Sequence, residues 1–465
     1  MGFQSLEFLL FLAISVSVCL WMGRRKDAVA GRRALLAVSL LFYLEQGKGL
    51  TELLLGVLVT LLAVRYLTSG KGGSGRRWVL ACACGYHIVV LAVFKYANPG
   101  WMPVGLSFFT FQQLWLLKEV YTGQFRPDSG EEILLHALFF PVVISGPILR
   151  PGSFYPQLKG EGFLRPGEKD IAAGLYAICL GTAKKVLLAD QLGVVVANGW
   201  AVVADLTAPA AWVTMLAYTL QLYLDFSGYC DIAAGCARLL GIRLSVNFNS
   251  PYRSLSVGEF WKRWHITLTT FLRECVYFPL GGSRKGSART CINILLVFLI
   301  SGLWHGNGWT FVVWGMLHGL AQVDERLFGA RLERLAGALR WALTMFFLNF
   351  AWVFFRAPDM TSAISLLSAA VSGGGVGVST LSAGVFESEM NAVTTILPGL
   401  TGVVSALLPP VLIAAGAVVS LWPRNTIQKM EDFRPTAISA AVLAVLALWA
   451  VLSFSGVTTF IYSNF

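Results

Sequence analysis

The sequence is poor in charged residues. Asp, Glu, Lys and Arg make up 13% of its 465 residues, whereas soluble globular proteins carry roughly 25%. Hydrophobic residues make up 56% of the chain. This composition leaves more apolar surface than a water-soluble globule buries, so it excludes an ordinary soluble domain and predicts an integral membrane protein.

The sequence also lacks the local motifs of several common sites. Its eight cysteines are scattered without a CxxC pair, and the Cys82-Ala-Cys84 spacing does not suit a zinc finger. It contains no Gly-x-Ser-x-Gly elbow, Walker loop, HExxH pair or fixed-period repeat. We therefore predict membrane-packed thiols, no metal centre and no permanently bound cofactor.

Apolar runs recur along the full length, from Phe8–Met22 to Ala437–Phe454. A membrane-spanning helix needs about 20 residues, and several runs are shorter, so we interpret them as broken, tilted or re-entrant helices. The predicted fold class is an all-α polytopic membrane protein of about ten to twelve helices. It forms a single domain over residues 1–465, with a probable loop region at 372–399.

Basic residues predict the orientation in the membrane. The run Phe8–Met22 is followed by Arg24, Arg25, Lys26, Arg32 and Arg33, the reverse of a secretory signal. Since basic loops stay cytoplasmic, the amino terminus should face outward, and residues 23–33 and the later cluster KGGSGRR should face inward. The excess of basic residues in cytoplasmic loops, together with contact with anionic membrane lipid, explains the net charge of +11 without a nucleic-acid partner.

Two carboxylates and a basic segment are candidate polar sites. Asp225 and Asp231 lie among apolar and small residues, where catalysis and a helix-packing ion pair with a nearby Arg are both open. In the segment Asn247–Gly286, a helix from Ser256 would align Phe260, Trp264 and Leu268 on one face. Its basic residues suit phosphate binding as a set, although each alone fits a snorkelling interfacial residue. These residues are Arg253, Lys262, Arg263, Arg273, Arg284 and Lys285.

Three of the five histidines, His265, His305 and His318, fall between Glu259 and Gly319 beside tryptophan and glycine. A lone histidine on an apolar face is more often a hydrogen-bonded core residue than a catalyst. Three together favour chemistry, because neutral imidazole is a suitable general base near pH 7 for an acceptor hydroxyl. The alternatives from another class are a transporter or a haem protein that uses the same histidines as relays or ligands.

Several long motifs resemble the membrane-bound O-acyltransferase family, in particular its bacterial branch typified by alginate O-acetylase. They are YLDFSGYCDIAAG, FWKRWHITLTTFLRECVYFPLGGSRKG and SGLWHGNGWTFVVWGMLHG, with PVGLSFFTFQQL, FFPVVISGPILRPGSFYPQL, WVFFRAP and the carboxyl-terminal FIYSNF. The signature core covers residues 103–319. The resemblance implies bundled, partly re-entrant helices around a tunnel between the two membrane faces.

The resemblance also implies roles for the histidines and the substrates. His305 matches the catalytic histidine, His265 a second active-site polar residue and His318 a supporting one. The donor is expected to be an acyl thioester, acetyl-CoA, on the cytoplasmic side of a bacterial inner membrane. The acceptor is expected to be an extracytoplasmic polysaccharide such as alginate, cellulose or peptidoglycan, reached with an esterase-like transferase partner. Within the family, D-alanyl transfer to teichoic acid from a carrier protein is the alternative.

Overall fold

A computed structural model describes residues 2–25, 27–70, 73–98, 100–454 and 461. Its helices, in chain order, are α1 Leu6–Arg25, α2 Ala28–Glu45, α3 Leu50–Leu67, α4 Gly75–Ala92, α5 Leu106–Tyr121, α6 Gly130–Leu138, α7 Pro151–Phe154, α8 Glu168–Ala183, α9 Asp190–Ala201, α10 Ala208–Leu239, α11 Val257–Arg263, α12 Ile266–Leu272, α13 Ser287–His305, α14 Trp309–Leu332, α15 Gly337–Arg356, α16 Met360–Ser372, α17 Glu387–Ile396, α18 Thr401–Leu421, α19 Thr426–Glu431 and α20 Ala437–Leu452. The described residues contain no sheet, only an isolated bridge between Leu206 and Val376. The predicted all-α class is confirmed.

Three π-helical segments interrupt or extend this set. Val93–Ala97 continues α4, Lys184–Ala189 joins α8 to α9, and Arg273–Tyr277 continues α12. Each contains at least one basic residue. Such segments are rare and are often found at functional sites.

Seven helices among the described residues are long and apolar enough to cross a membrane. They are α1, α3, α4 with its π segment, the continuous 34-residue stretch Glu168–Ala201, α13, α15 and Pro398–Leu421. α16 and α20 are apolar but shorter, and the predicted total of ten to twelve counts such helices as well. The multi-pass architecture is therefore confirmed.

The 32-residue α10 is the most buried helix and packs along α8. Glycines on both helices let their backbones meet. A Cβ added to Gly181 would lie 2.6 Å from the Gly228 carbonyl oxygen, and one added to Gly235 would lie 2.6 Å from the Gly174 oxygen. Any side chain at these four positions would push the helices apart.

α13 and α14 form a second glycine contact. A Cβ added to Gly315 would lie 2.5 Å from the Phe298 carbonyl oxygen, and one added to Gly302 would overlap the Phe311 carbonyl oxygen. His305 ends α13 and His318 lies in the middle of α14, so this contact sets the separation of the two histidines.

Two further predictions concern less membrane-like parts of the chain. The 372–399 region contains a turn of 3₁₀ helix at Val378–Ser382 and α17, which buries none of its residues. Of FIYSNF, only Ile461 is described, and its backbone N–H donates to Asp225 Oδ2 at 2.9 Å. Lys26 and Lys71 lie outside the described residues.

Candidate active site

The prediction of a single helix from Ser256 is wrong, because the helix is interrupted at His265. α11 ends at Arg263, Trp264 is extended, and His265 has a left-handed backbone with φ of +43° before α12 begins. Phe260, Trp264 and Leu268 are nevertheless all buried. Backbone of this kind is strained for a residue other than glycine, and strain is often retained at functional positions.

The Asn247 side chain stabilises the interruption between α11 and α12. Its Oδ1 accepts from the Thr267 backbone N–H at 3.2 Å, from Thr267 Oγ1 at 2.9 Å and from His265 Nδ1 at 3.2 Å. A backbone N–H can only donate, so the accepting atom is the amide oxygen, and His265 Nδ1 must carry a hydrogen. Neutral His265 therefore has its lone pair on Nε2.

His318 has the opposite tautomer. Trp261 Nε1 donates to His318 Nδ1 at 3.2 Å, and an indole N–H cannot accept. Neutral His318 therefore carries its hydrogen on Nε2. That atom is buried and has no hydrogen-bond partner among the described residues. A buried donor without an acceptor is costly and needs an explanation such as a bound ligand.

His305 connects the other two histidines through aromatic rings. Trp314 lies 5.0 Å from His305 and 5.1 Å from His318 between ring centroids. On the other side, Trp304 contacts His305 at 4.5 Å and Phe108 at 5.9 Å, and Phe108 stacks on His265 at 6.3 Å. The fold thus brings together all three predicted histidines in one buried aromatic cluster.

The remaining two histidines differ from these three. His87 hydrogen-bonds Thr60 Oγ1 at 2.9 Å, and His136 bonds the Leu149 carbonyl oxygen at 3.1 Å. Both lie outside the aromatic cluster and fit the ordinary role of hydrogen-bonded core residues.

The six predicted basic residues separate into three groups. Lys262 and Arg273 line a cavity of about 280 Å³ that also contacts Trp261. Arg263 pairs with Glu259 at 2.8 Å. The other three, Arg253, Arg284 and Lys285, are exposed, as are Lys262 and Arg273, but they do not line this cavity. Only the first two therefore combine positive charge with a cavity close to a histidine partner.

Asp225 and Asp231 take part in helix packing through ion pairs, with lysine rather than the expected arginine. Lys185 Nζ lies 2.6 Å from Asp225 and 2.8 Å from Asp190, and Lys184 Nζ lies 2.6 Å from Asp231. Both lysines belong to the π segment between α8 and α9, which turns two consecutive residues toward α10.

Sequence reasoning did not find Asn247, Trp261 or Trp314 as site residues. Asn247 contacts His265, 18 positions later, and Trp261 contacts His318, 57 positions later. Trp314 contacts His305, 9 positions earlier, and His318, 4 positions later. The available signal was composition: tryptophan is unusually dense around the histidines, and Asn247 opens the basic segment.

Comparisons with known proteins show which family this chain resembles. The model of the MBOAT, membrane-bound O-acyltransferase, family matches residues 44–364. The peptidoglycan O-acetyltransferase of Helicobacter pylori is 39% identical over 310 residues, covering 60% of this chain and 59% of that enzyme. A probable alginate O-acetylase of Pseudomonas putida is 33% identical over 403 residues, covering 80% of this chain and 81% of its own.

A more distant relative is the teichoic acid D-alanyltransferase of Bacillus subtilis, 26% identical over 48% of this chain and 59% of its own. The family model covers more than half of the chain, and the Pseudomonas relative aligns over most of both sequences. The chain belongs to the membrane-bound O-acyltransferase family, and it is a multi-pass O-acyltransferase.

Proposed function

We propose that the protein transfers an acetyl group from acetyl-CoA to a hydroxyl acceptor on the opposite side of a bacterial inner membrane, with His305 as the general base. The observation that carries this proposal is the burial of three histidines in one aromatic cluster with Trp304 and Trp314. Such a site excludes water, which protects a thioester and its acyl group from hydrolysis.

In the proposed reaction, His305 accepts the proton of the acceptor hydroxyl as its oxygen attacks the thioester carbonyl carbon. The carbonyl electron pair moves onto oxygen, which needs a hydrogen-bond donor. The tautomers favour His318 for this task, because its Nε2–H has no other acceptor among the described residues. His265, held through Nδ1, presents a lone pair instead. The intermediate then expels the thiolate, which takes the proton from His305.

Lys262 and Arg273 support a donor site for acetyl-CoA. Both line the cavity beside Trp261, and cationic side chains of this kind bind phosphates. In this proposal the cavity faces the cytoplasmic side, where acetyl-CoA is found.

An extracytoplasmic polysaccharide is the proposed acceptor, reached with an esterase-like transferase as partner. The support comes from the two relatives above, whose names specify peptidoglycan and alginate. D-alanyl transfer from a carrier-protein thioester has the weaker support of a more distant relative.

The test uses purified protein in nanodiscs with radiolabelled acetyl-CoA and a polysaccharide acceptor, with and without the candidate partner. We expect acetyl transfer to fall by about 10²–10⁴-fold in His305→Ala, while His136→Ala, a core histidine outside the cluster, keeps it if folded. Transfer retained by a folded His305→Ala protein would contradict the assignment of the base. Transfer from a D-alanyl carrier protein but not from acetyl-CoA would replace the donor.

A further inference from the structure

Lys95 differs from the other basic side chains buried in the described part of the chain. Lys185 is paired with Asp225 and Asp190, and Arg238 with Asp170 and Glu431. Lys95 is 9% exposed, and among the described residues no carboxylate pairs with it. The face of the Trp304 ring lies 5.7 Å from Lys95 Nζ.

A ring contact alone does not explain this burial. The desolvation of an ammonium group costs several times what a cation–π contact returns. Ionisable residues at membrane depth usually have a partner that can be identified. An anion that is not part of the protein would supply that partner.

Two hydrogen-bond donors near Lys95 are also buried without a partner in the described part of the chain. Thr110 Oγ1 and Trp304 Nε1 are buried and have no hydrogen-bond partner among the described residues. Both side chains line the same cavity as Lys95, on α5, α13 and the π segment after α4. The residues that line this one cavity therefore include an ammonium group, a hydroxyl and an indole N–H, all of which can donate to an anionic oxygen.

The rest of the cavity suits a hydrocarbon chain. Its volume is about 570 Å³, within the range of small-molecule sites. Its other polar lining residues already have partners: Lys118 pairs with Glu274 at 3.2 Å, and the Tyr96 hydroxyl donates to the Leu303 carbonyl oxygen at 2.5 Å. The rest of the lining is largely apolar. Ile88, Ile300 and Leu303 on its rim are exposed on the membrane-facing surface, so the cavity opens toward lipid.

We propose that this cavity is a binding site for an anionic phospholipid, whose phosphate oxygen is held by Lys95, Thr110 and Trp304 and whose acyl chain fills the apolar part. The cavity is separate from the Lys262–Arg273 cavity and does not depend on the proposed reaction. It does adjoin the active site, since Trp304 contacts Lys95 on one side and His305 on the other.

The test is a lipid titration of the detergent-solubilised full chain, followed by native mass spectrometry. Phosphatidylglycerol and phosphatidylcholine with identical acyl chains are the probes. We expect phosphatidylglycerol to bind at least about tenfold more tightly to the wild type, as one charge-assisted contact provides. Lys95→Met should abolish that preference, and Lys95→Arg should retain it. Lys48→Met, which removes an exposed lysine, should leave it unchanged.

Equal binding of the two lipids, or a preference that survives in Lys95→Met, would overturn the proposal. Millimolar inorganic phosphate distinguishes the source of the anion: displacement of the lipid by phosphate alone would indicate a free-anion site and also overturn it. Thr110→Val provides a second variant that keeps the charge, and it should weaken phosphatidylglycerol binding because it removes one donor to the phosphate oxygen. Unchanged phosphatidylglycerol binding in this variant would remove Thr110 from the site.

Discussion

Two regions of this protein bury ionisable groups in opposite ways. Between α8 and α10, each charge has a partner of opposite sign at 2.6–2.8 Å, as in Lys185 with Asp225 and Asp190. Around α11–α14, the three imidazoles contact an amide, an indole N–H and aromatic faces. A charged group that is fully paired has little capacity to exchange a proton, whereas an imidazole among neutral groups retains that capacity. Ion pairing therefore distinguishes the region between α8 and α10, where charges stabilise helix packing, from the region of α11–α14, where we expect the chemistry.

The largest effect on stability should follow from breaking the paired region. Lys185→Met leaves Asp225 and Asp190 buried without their cation, and we expect the free energy of unfolding to fall by about 3–5 kcal/mol. Chemical denaturation in a mild detergent measures it. The control is Arg424→Met, which breaks a pair with Asp432 in which both side chains are exposed and should cost about 1 kcal/mol or less. Similar losses in the two variants would remove the distinction between the regions.

The next largest effect should come from the support of His265. Asn247→Ala removes the acceptor for His265 Nδ1, the Thr267 N–H and the Thr267 hydroxyl. We expect kcat for acetyl transfer to fall on the order of 10²-fold, because a small misplacement of a catalytic group has such an effect. Asn249→Ala, two residues later, lacks a contact to a histidine and should keep most activity. A folded Asn247→Ala protein with normal kcat would show that the orientation of His265 is unimportant.

The basic residues should affect donor binding rather than the chemical step. In Lys262→Ala/Arg273→Ala, we expect KM for acetyl-CoA to rise about tenfold or more with kcat little changed, as for lost phosphate contacts. The matched control is Arg284→Ala/Lys285→Ala, which removes the same charge from positions that do not line the cavity beside Trp261. Steady-state kinetics over a range of acetyl-CoA concentrations separates the two. Equal KM values for the two double variants would indicate that only net charge matters.

The smallest effect should follow from Trp261→Phe. This change keeps the ring but removes the donor to His318 Nδ1, so His318 can adopt either tautomer. One neutral hydrogen bond contributes about 1 kcal/mol, which corresponds to about fivefold in kcat. Trp341→Phe removes a similar bond, to the Tyr252 carbonyl oxygen at 2.8 Å, away from the histidines. A larger kcat loss in the Trp341 variant would argue against a specific role for the Trp261 contact.

The sequence was sufficient for the fold class and the family, because hydropathy and dense local motifs carry that information. It also singled out three histidines that the fold brings into one aromatic cluster. It could not reveal the break at His265, since helical periodicity continues through Phe260, Trp264 and Leu268 while the Asn247 side chain, far earlier in the chain, ends the helix. Nor could the sequence reveal that Lys184 and Lys185 are the partners of the buried carboxylates. They reach α10 only because a π segment rotates them toward it.

The glycine contact between α13 and α14 has a consequence for how this site tolerates sequence change. Gly302 and Gly315 bring the backbones themselves together, so the spacing of His305 and His318 is a property of the main chain. Mutational drift among the surrounding aromatic residues can then alter the shape of the site while the reacting groups stay in register. Substitution of the aromatic residues should therefore change the substrate preference, whereas substitution of either glycine should abolish activity toward every substrate.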